Sequence, residues 1–188
     1  MKILIGCEFS GIVREEFRKL GHDAWSCDLL ETEIPGQHIK GNIVHQLWNR
    51  WDMIIAFPPC TRLANSGVRW LHERNLWAEM YQACEFFNMF QTQGETTKVA
   101  IENPIPHKYA REYIGKYSQI IQPWQFGHGE TKATCLWLYN LPKLKPTNIV
   151  SGREQKVFKT PPSKDRWKIR SRTFKGIAEA MASQWSCL

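Results

Sequence analysis

The feature that most constrains this 188-residue chain is an alternation of strand and helix patterns, with glycine, proline or acidic residues where the strands stop. Lys2 to Cys7 reads as a strand. Ile12 to Leu20 reads as a helix, with Ser10 as its N-cap and Gly21 just past its end. Asp23 to Asp28 is the next strand, and residues 31–42, with Pro35, Gly36 and Gly41, read as loop. Trp51 to Phe57 is a strong strand that stops at Pro58-Pro59. A long helix is predicted within 68–92, where Leu76, Met80, Ala83, Phe87 and Phe90 recur at helical spacing. Val99 to Ile101 is a short strand ending at Glu102-Asn103-Pro104, and a helix covers 107–116. Ser118 to Gln122 and Thr134 to Leu138 are later strands, and Gly176 to Trp185 closes the chain as a helix. This order predicts an α/β fold, a mostly parallel sheet with helices on both faces. Such sheets bind ligands at the carboxyl ends of their strands. Residues 7–11, Asp28, residues 57–60 and residues 102–104 all fall at such ends, so one rim should gather them.

Charge adds a second constraint. The chain carries a net +7, but residues 143–175 hold eleven Lys and Arg against Glu154 and Asp165. That local +9 leaves the remainder at 7 − 9 = −2. A basic segment of this kind suits a polyanion such as nucleic acid, and equally a solvated tail. Residues 141–168 contain four prolines and no periodicity, which reads as an extended loop or mobile flap. No apolar run reaches the roughly 18–20 residues of a membrane helix, and the opening residues read as a strand rather than a leader. A soluble, cytoplasmic protein with no membrane partner is expected.

Six cysteines at irregular spacing include no C-x-x-C pair, so neither a zinc knuckle nor another metal site is expected and free thiols are the default. One stands out. In Phe57-Pro58-Pro59-Cys60-Thr61, two prolines after a buried strand fix the backbone and turn the next side chain outward. Alone, that is a rigid turn with a bystander cysteine. The Glu102-Asn103-Pro104 group at another strand end makes a reactive role for Cys60 worth considering.

At these residues the chain resembles the DNA cytosine carbon-5 methyltransferase family, with gaps, from the first strand to the last helix. Phe9-Ser10-Gly11 looks like the Phe-x-Gly start of the family's cofactor loop. Asp28 matches the acid that binds the cofactor ribose, and Gly41-Asn42-Ile43 resembles the Gly-Asp-Ile segment that meets the adenine. Pro58-Pro59-Cys60 matches the nucleophile motif and Glu102-Asn103 the Glu-Asn pair. Gly127 with Lys132 and Thr134 resembles a loosened later motif, and Gly176-Ile177-Ala178 the family's Gly-Asn-Ala before its closing helix.

The resemblance implies a Rossmann-like methyltransferase fold, S-adenosylmethionine as cofactor, and methyl transfer to carbon 5 of cytosine in DNA. Cys60 would be the nucleophile and Glu102 the group that holds a proton against ring nitrogen 3. Asn103 would shape the loop, and Lys132, otherwise a plain solvated lysine, would supply positive charge. Phe9, Ser10, Gly11, Asp28, Asn42 and Pro58 would line the cofactor site. The target base is hidden in a duplex, so it must be flipped out or already single-stranded. Lys164, Arg166, Lys168, Arg170 and Arg172 suit a phosphate backbone, and Trp167 a stacked base or an anchor for the flap.

The chain departs from the family pattern at Val13, where a glycine is expected, and at Asn42, which replaces an Asp. It is also short. Residues 1–140 would be the catalytic and cofactor-binding core, 141–175 a reduced target-recognition region, and 176–188 a helix packing back on the core. Short or relaxed sequence specificity follows, as would suit a phage-encoded enzyme. Two other readings stay open at this point: a methyltransferase-like protein acting on a nucleotide or RNA, and a catalytically silent nucleic-acid-binding module.

Overall fold

A computed structural model describes residues 1–95 and 97–187. Seven strands form one sheet: β1 (Lys2–Gly6), β2 (Asp23–Asp28), β3 (His38–Lys40), β4 (Met53–Ala56), β5 (Lys98–Pro104), β6 (Gln119–Ile121) and β7 (Thr134–Tyr139). Their order is β3-β2-β1-β4-β5-β7-β6, and all pairings are parallel except those of β7. The helices are α1 (Ile12–Lys19), α2 (Val68–Glu73), α3 (Trp77–Gln93), α4 (Lys108–Ile114), α5 (Lys156–Lys159), α6 (Arg166–Ser171) and α7 (Lys175–Trp185). The fold is the α/β arrangement expected from the sequence, a mostly parallel sheet with helices on both faces.

The strands alternate cleanly between two cores, because successive side chains on a strand point to opposite faces. Leu4, Ile54, Ala56, Val99 and Ile101 pack under α3 and α4, against Met80, Phe87, Phe90 and Ile114. Ile3, Ile5, Met53, Ile55, Ala100 and Leu136 pack on the other face, against Val13 and Phe17 of α1 and Ile177, Met181 and Trp185 of α7. Burial on both faces is what near-continuous apolar strands require.

Several boundaries differ from those expected. The loop 31–42 contains β3, whose three residues complete the sheet edge beside β2. The long helix expected within 68–92 is α3, and the short α2 precedes it, set apart because Asn75 between them adopts a left-handed φ of 52° that no helix continues through. Ser10 is not the N-cap of α1. Gly11 holds that position at φ 74°, and the buried Glu8 carboxylate receives the Val13 amide at 2.7 Å.

The stretch expected as an extended loop or mobile flap has defined contacts. From Asn140, whose side chain donates to the Gly94 and Thr97 carbonyls, the chain climbs back along residues 124–131. It pairs there through Phe126–Asn148 and Glu130–Glu154 bridges, and Gly129 and Gly152 touch backbone to backbone. Two short helices that the charge run concealed, α5 and α6, follow, and neither has a buried residue.

Candidate active site

The parallel strands β1, β2, β4 and β5 bring their carboxyl ends to one rim, and β7, running the opposite way, begins there. Ala56 pairs with Ile101, so the turn 57–60 leaves β4 beside the end of β5 that carries Glu102 and Asn103. Asn103 is fully buried, and its Nδ2 donates to the Pro58 carbonyl at 2.8 Å. That bond ties the Pro-Pro-Cys turn to the neighbouring strand. After Cys60 the chain turns sharply, with the Leu63 and Ala64 amides both donating to the Cys60 carbonyl. The following loop is held to residues 105–107 by the Asn65 amide on the Ile105 carbonyl and by His107 on the Arg62 carbonyl.

Glu102 and Cys60 sense each other electrically. Burial pushes the Glu102 carboxyl above the usual carboxylate range, against the pull of Lys132 and of a hydrogen bond with Thr134. Burial and then the Glu102 charge push the Cys60 thiol up, while Lys132 and Arg170 pull it down. The site therefore rests with a protonated thiol and a carboxyl inclined to keep its proton. Thr134 reaches Glu102 because β7 is antiparallel, with Thr134 opposite Pro104 and Leu136 opposite Glu102. Lys132 Nζ donates to the Arg170 carbonyl at 3.1 Å.

The space beside Glu102 is small. Phe57, Glu102, Lys132 and Thr134 form its floor and walls, and Ser171 and Phe174 close it over, leaving about 20 Å³. That is room for a water molecule and not for a pyrimidine ring. A wider cavity of about 590 Å³ lies at the opposite end of the sheet, between Met1, Trp51, Asp52 and Lys98, and includes none of the residues singled out from the sequence.

The candidate cofactor residues surround the ends of β1 and β2. Cys7, at the end of β1, adopts φ 58°, a strained conformation for a non-glycine residue. Its thiol is pushed up first by burial and then by Asp28, which places the β2 acid beside it. Asp28 Oδ1 accepts the Leu30 amide at 3.0 Å. Ser10 is buried and donates to Glu8, and Phe9 is buried as well. Pro58 is buried. Asn42 is exposed past β3, where its Oδ1 accepts the Val44 amide and caps a short helical turn. Val13, at the expected glycine, points into the core under α7 with no exposed surface. An acid at the β2 end, a left-handed glycine and a valine turned into the core thus stand together at the ends of β1 and β2.

The basic residues divide. Trp167 lies against Phe9, with ring centroids 6.0 Å apart, so α6 covers the start of the cofactor loop. Arg172 is not an open phosphate contact, because its guanidinium grips Glu33 with both arms at 2.8 and 2.6 Å. Arg166 donates to the Thr160 carbonyl at 2.7 Å, and Lys168 stands 3.8 Å from Asp165. Lys164 and Arg170 are exposed.

Glu8, Arg14, Glu33 and Phe174 matter here and were not singled out from the sequence. Arg14 is completely buried, and its guanidinium donates to Ser26, Thr32 and the Ile34 carbonyl, pinning the 30–34 loop beneath the cofactor residues. A buried charge must be fully bonded to be tolerated. The sequence signal available was an arginine flanked by Val13 and Phe17 on the inward helix face.

No protein-family model and no curated protein sequence matches the chain. Among solved structures it is similar to a methyltransferase of Entamoeba histolytica, EhMeth, at 12% identity and a TM-score of 0.48, over 79% of this chain and 57% of that one.

Proposed function

We propose that this protein transfers a methyl group from S-adenosylmethionine to carbon 5 of cytosine in DNA through a covalent bond to Cys60. The observation that carries the reading is that Cys60 and the buried Glu102 follow from adjacent parallel strands close enough for the carboxyl to raise the thiol, with Asn103 tying the intervening turn to the neighbouring strand.

Carbon 5 of cytosine is a weak nucleophile. Addition of the Cys60 thiolate to carbon 6 shifts electron density onto carbon 5, which can then accept a methyl group. Glu102, held protonated by burial, donates to ring nitrogen 3 and draws density from carbon 6, which favours the addition. Lys132 and Arg170 stabilise the thiolate, and a protonated Glu102 places no negative charge against it. Loss of the carbon 5 proton and expulsion of the Cys60 sulfur then restore the aromatic ring. S-adenosylmethionine supplies the electrophilic methyl group; Asp28 and the Phe9–Gly11 loop would hold it. Lys164, Arg170 and neighbouring cations would meet phosphates.

The test is incubation with labelled cofactor and duplex DNA, single-stranded DNA or deoxycytidine nucleotides. Label should enter DNA with the native protein and not with Cys60→Ser, and cytosine fluorinated at carbon 5 should trap a Cys60 adduct. Label on free nucleotides alone moves the substrate to that class.

A second reading, a silent nucleic-acid-binding module, is favoured by the closed space beside Glu102. Calorimetry separates the two, since a silent module binds DNA and no S-adenosylmethionine.

A further inference from the structure

Residues 165–174 cross the rim as a strap that is anchored at its end by Phe174, packed against the core and His128, while the contacts that hold residues 165–172 are at the surface. Trp167, 53% exposed, leans on Phe9. Arg172 and Glu33, each more than a third exposed, form a two-armed ion pair. The Lys132 ammonium donates to the Arg170 carbonyl. Beyond them Ser171 and Phe174 roof the space beside Glu102 down to about 20 Å³. The same strap thus covers the first residue of the cofactor loop and closes the pocket that a base would have to enter.

The strap's composition works against its docking. Arg166, Lys168, Arg170 and Arg172 are accompanied by Asp165 alone, and α6 has no buried residue to anchor it. Exposed ion pairs and single ring contacts are weak and exchange partners readily. A phosphate offers Arg172 the same two-oxygen geometry as the Glu33 carboxylate.

We propose that residues 165–174 form an autoinhibitory latch, fastened by Arg172 on Glu33 and Trp167 on Phe9, which opens the pocket over Glu102 when a nucleic-acid phosphate takes Arg172 from Glu33. The identity of that trigger rests on the function proposed above; the latch itself does not. Opening requires no change in the sheet, because the strap joins the core at Phe174 and α7 on one side and through the exposed 155–164 segment on the other. The basic face of α6 is then free to follow the backbone whose base enters the pocket.

Glu33→Gln is the direct test, because it removes one side of the ion pair at an exposed position. Glu31→Gln is its control, removing an equal charge from the same loop, where Glu31 pairs instead with Lys40. Hydrogen exchange of 166–174 and the rate of tryptic cleavage after Arg172, whose side chain the ion pair holds, read the open population without any turnover. Both should rise about fivefold in Glu33→Gln and in Trp167→Ala, the change expected when one exposed contact is lost, and stay unchanged in Glu31→Gln. Glu33→Gln should also bind a short duplex oligonucleotide several-fold more tightly than Glu31→Gln. Equal exchange and cleavage in Glu33→Gln and native protein would overturn the latch. Equal duplex affinity of the two variants, or none in either, would overturn the phosphate trigger. Label transfer in the methylation assay judges the enzyme reading separately.

Discussion

Replacing Gly176 by alanine sets two effects of opposite sign against each other. Gly176 is the second residue of α7, and helix propensity alone favours alanine there by up to about 1 kcal/mol. Packing opposes it. A Cβ at this position would overlap the Phe126 carbonyl oxygen and stand 3.0 Å from its carbon and 3.2 Å from His128 Nε2. Neither neighbour can yield easily. Phe126 is buried and bridged to Asn148, and His128 accepts the Gly176 amide at 2.9 Å. Overpacking a fixed backbone costs about 1–3 kcal/mol, at or above the propensity gain for an oxygen this close. We expect a net loss of about 2 kcal/mol, or roughly 4–8 °C in melting midpoint for a chain of this size. The assay is calorimetric melting with urea titration, the urea slope staying constant. Gly41→Ala is the control: nothing lies within 4 Å of a Cβ there, so its effect should stay within about 0.5 kcal/mol. Because Phe174 and Ile177 line the space beside Glu102, Gly176→Ala should lower methyl transfer as well. A variant as stable as the native protein would refute the contact argument.

Three further outcomes are expected. Asn103→Ala leaves the buried Pro58 carbonyl without its donor and should destabilise by about 1–3 kcal/mol, read by urea denaturation, with faster exchange at residues 60–64. Glu102→Gln should lower methyl transfer about 10²–10⁴-fold while leaving S-adenosylmethionine affinity intact, measured by single-turnover kinetics and calorimetry. Glu8 is pushed up to about 7 by burial, despite the amides and hydroxyl that donate to it. The folded protein holds that proton more tightly than the unfolded chain does, so the stability it confers is complete below about 4.5 and is lost as pH rises through about 7. The span is about 3 kcal/mol, and Glu8→Gln should flatten the fall in melting midpoint between pH 5 and 8; parallel profiles would refute the assignment.

The sheet was legible because its strands are short apolar runs ended by residues that cannot continue them. Pro58-Pro59 after Ile54–Ala56 and Pro104 after Val99–Ile101 mark two strand ends, and placing those ends on one rim follows from parallel pairing. That the segments carrying residues 60 and 102 leave neighbouring strands was foreseeable on that basis. Glu8 was not, since the amides it serves belong to residues 13 and 14 and only the left-handed turn at Gly11 brings them back. Arg14 looked like one more charge on a short helix, whereas its partners come from β2 and the loop after it. The strap hid within a run of charge, whose solvated and docked forms share one composition. Glu33 lies 139 residues from Arg172, and no local pattern links them.

The reversed strand β7 has a topological consequence. A chain that enters it at the rim of strand carboxyl ends must leave at the far end of the molecule, near Thr97, and then travel the full height of the sheet to return. That return journey crosses the outer surface and contributes no strand. Extra length spliced into it after Glu154 would therefore grow outward beside the pocket mouth without disturbing a single strand pairing. It is the place where a fold of this kind can take up added length.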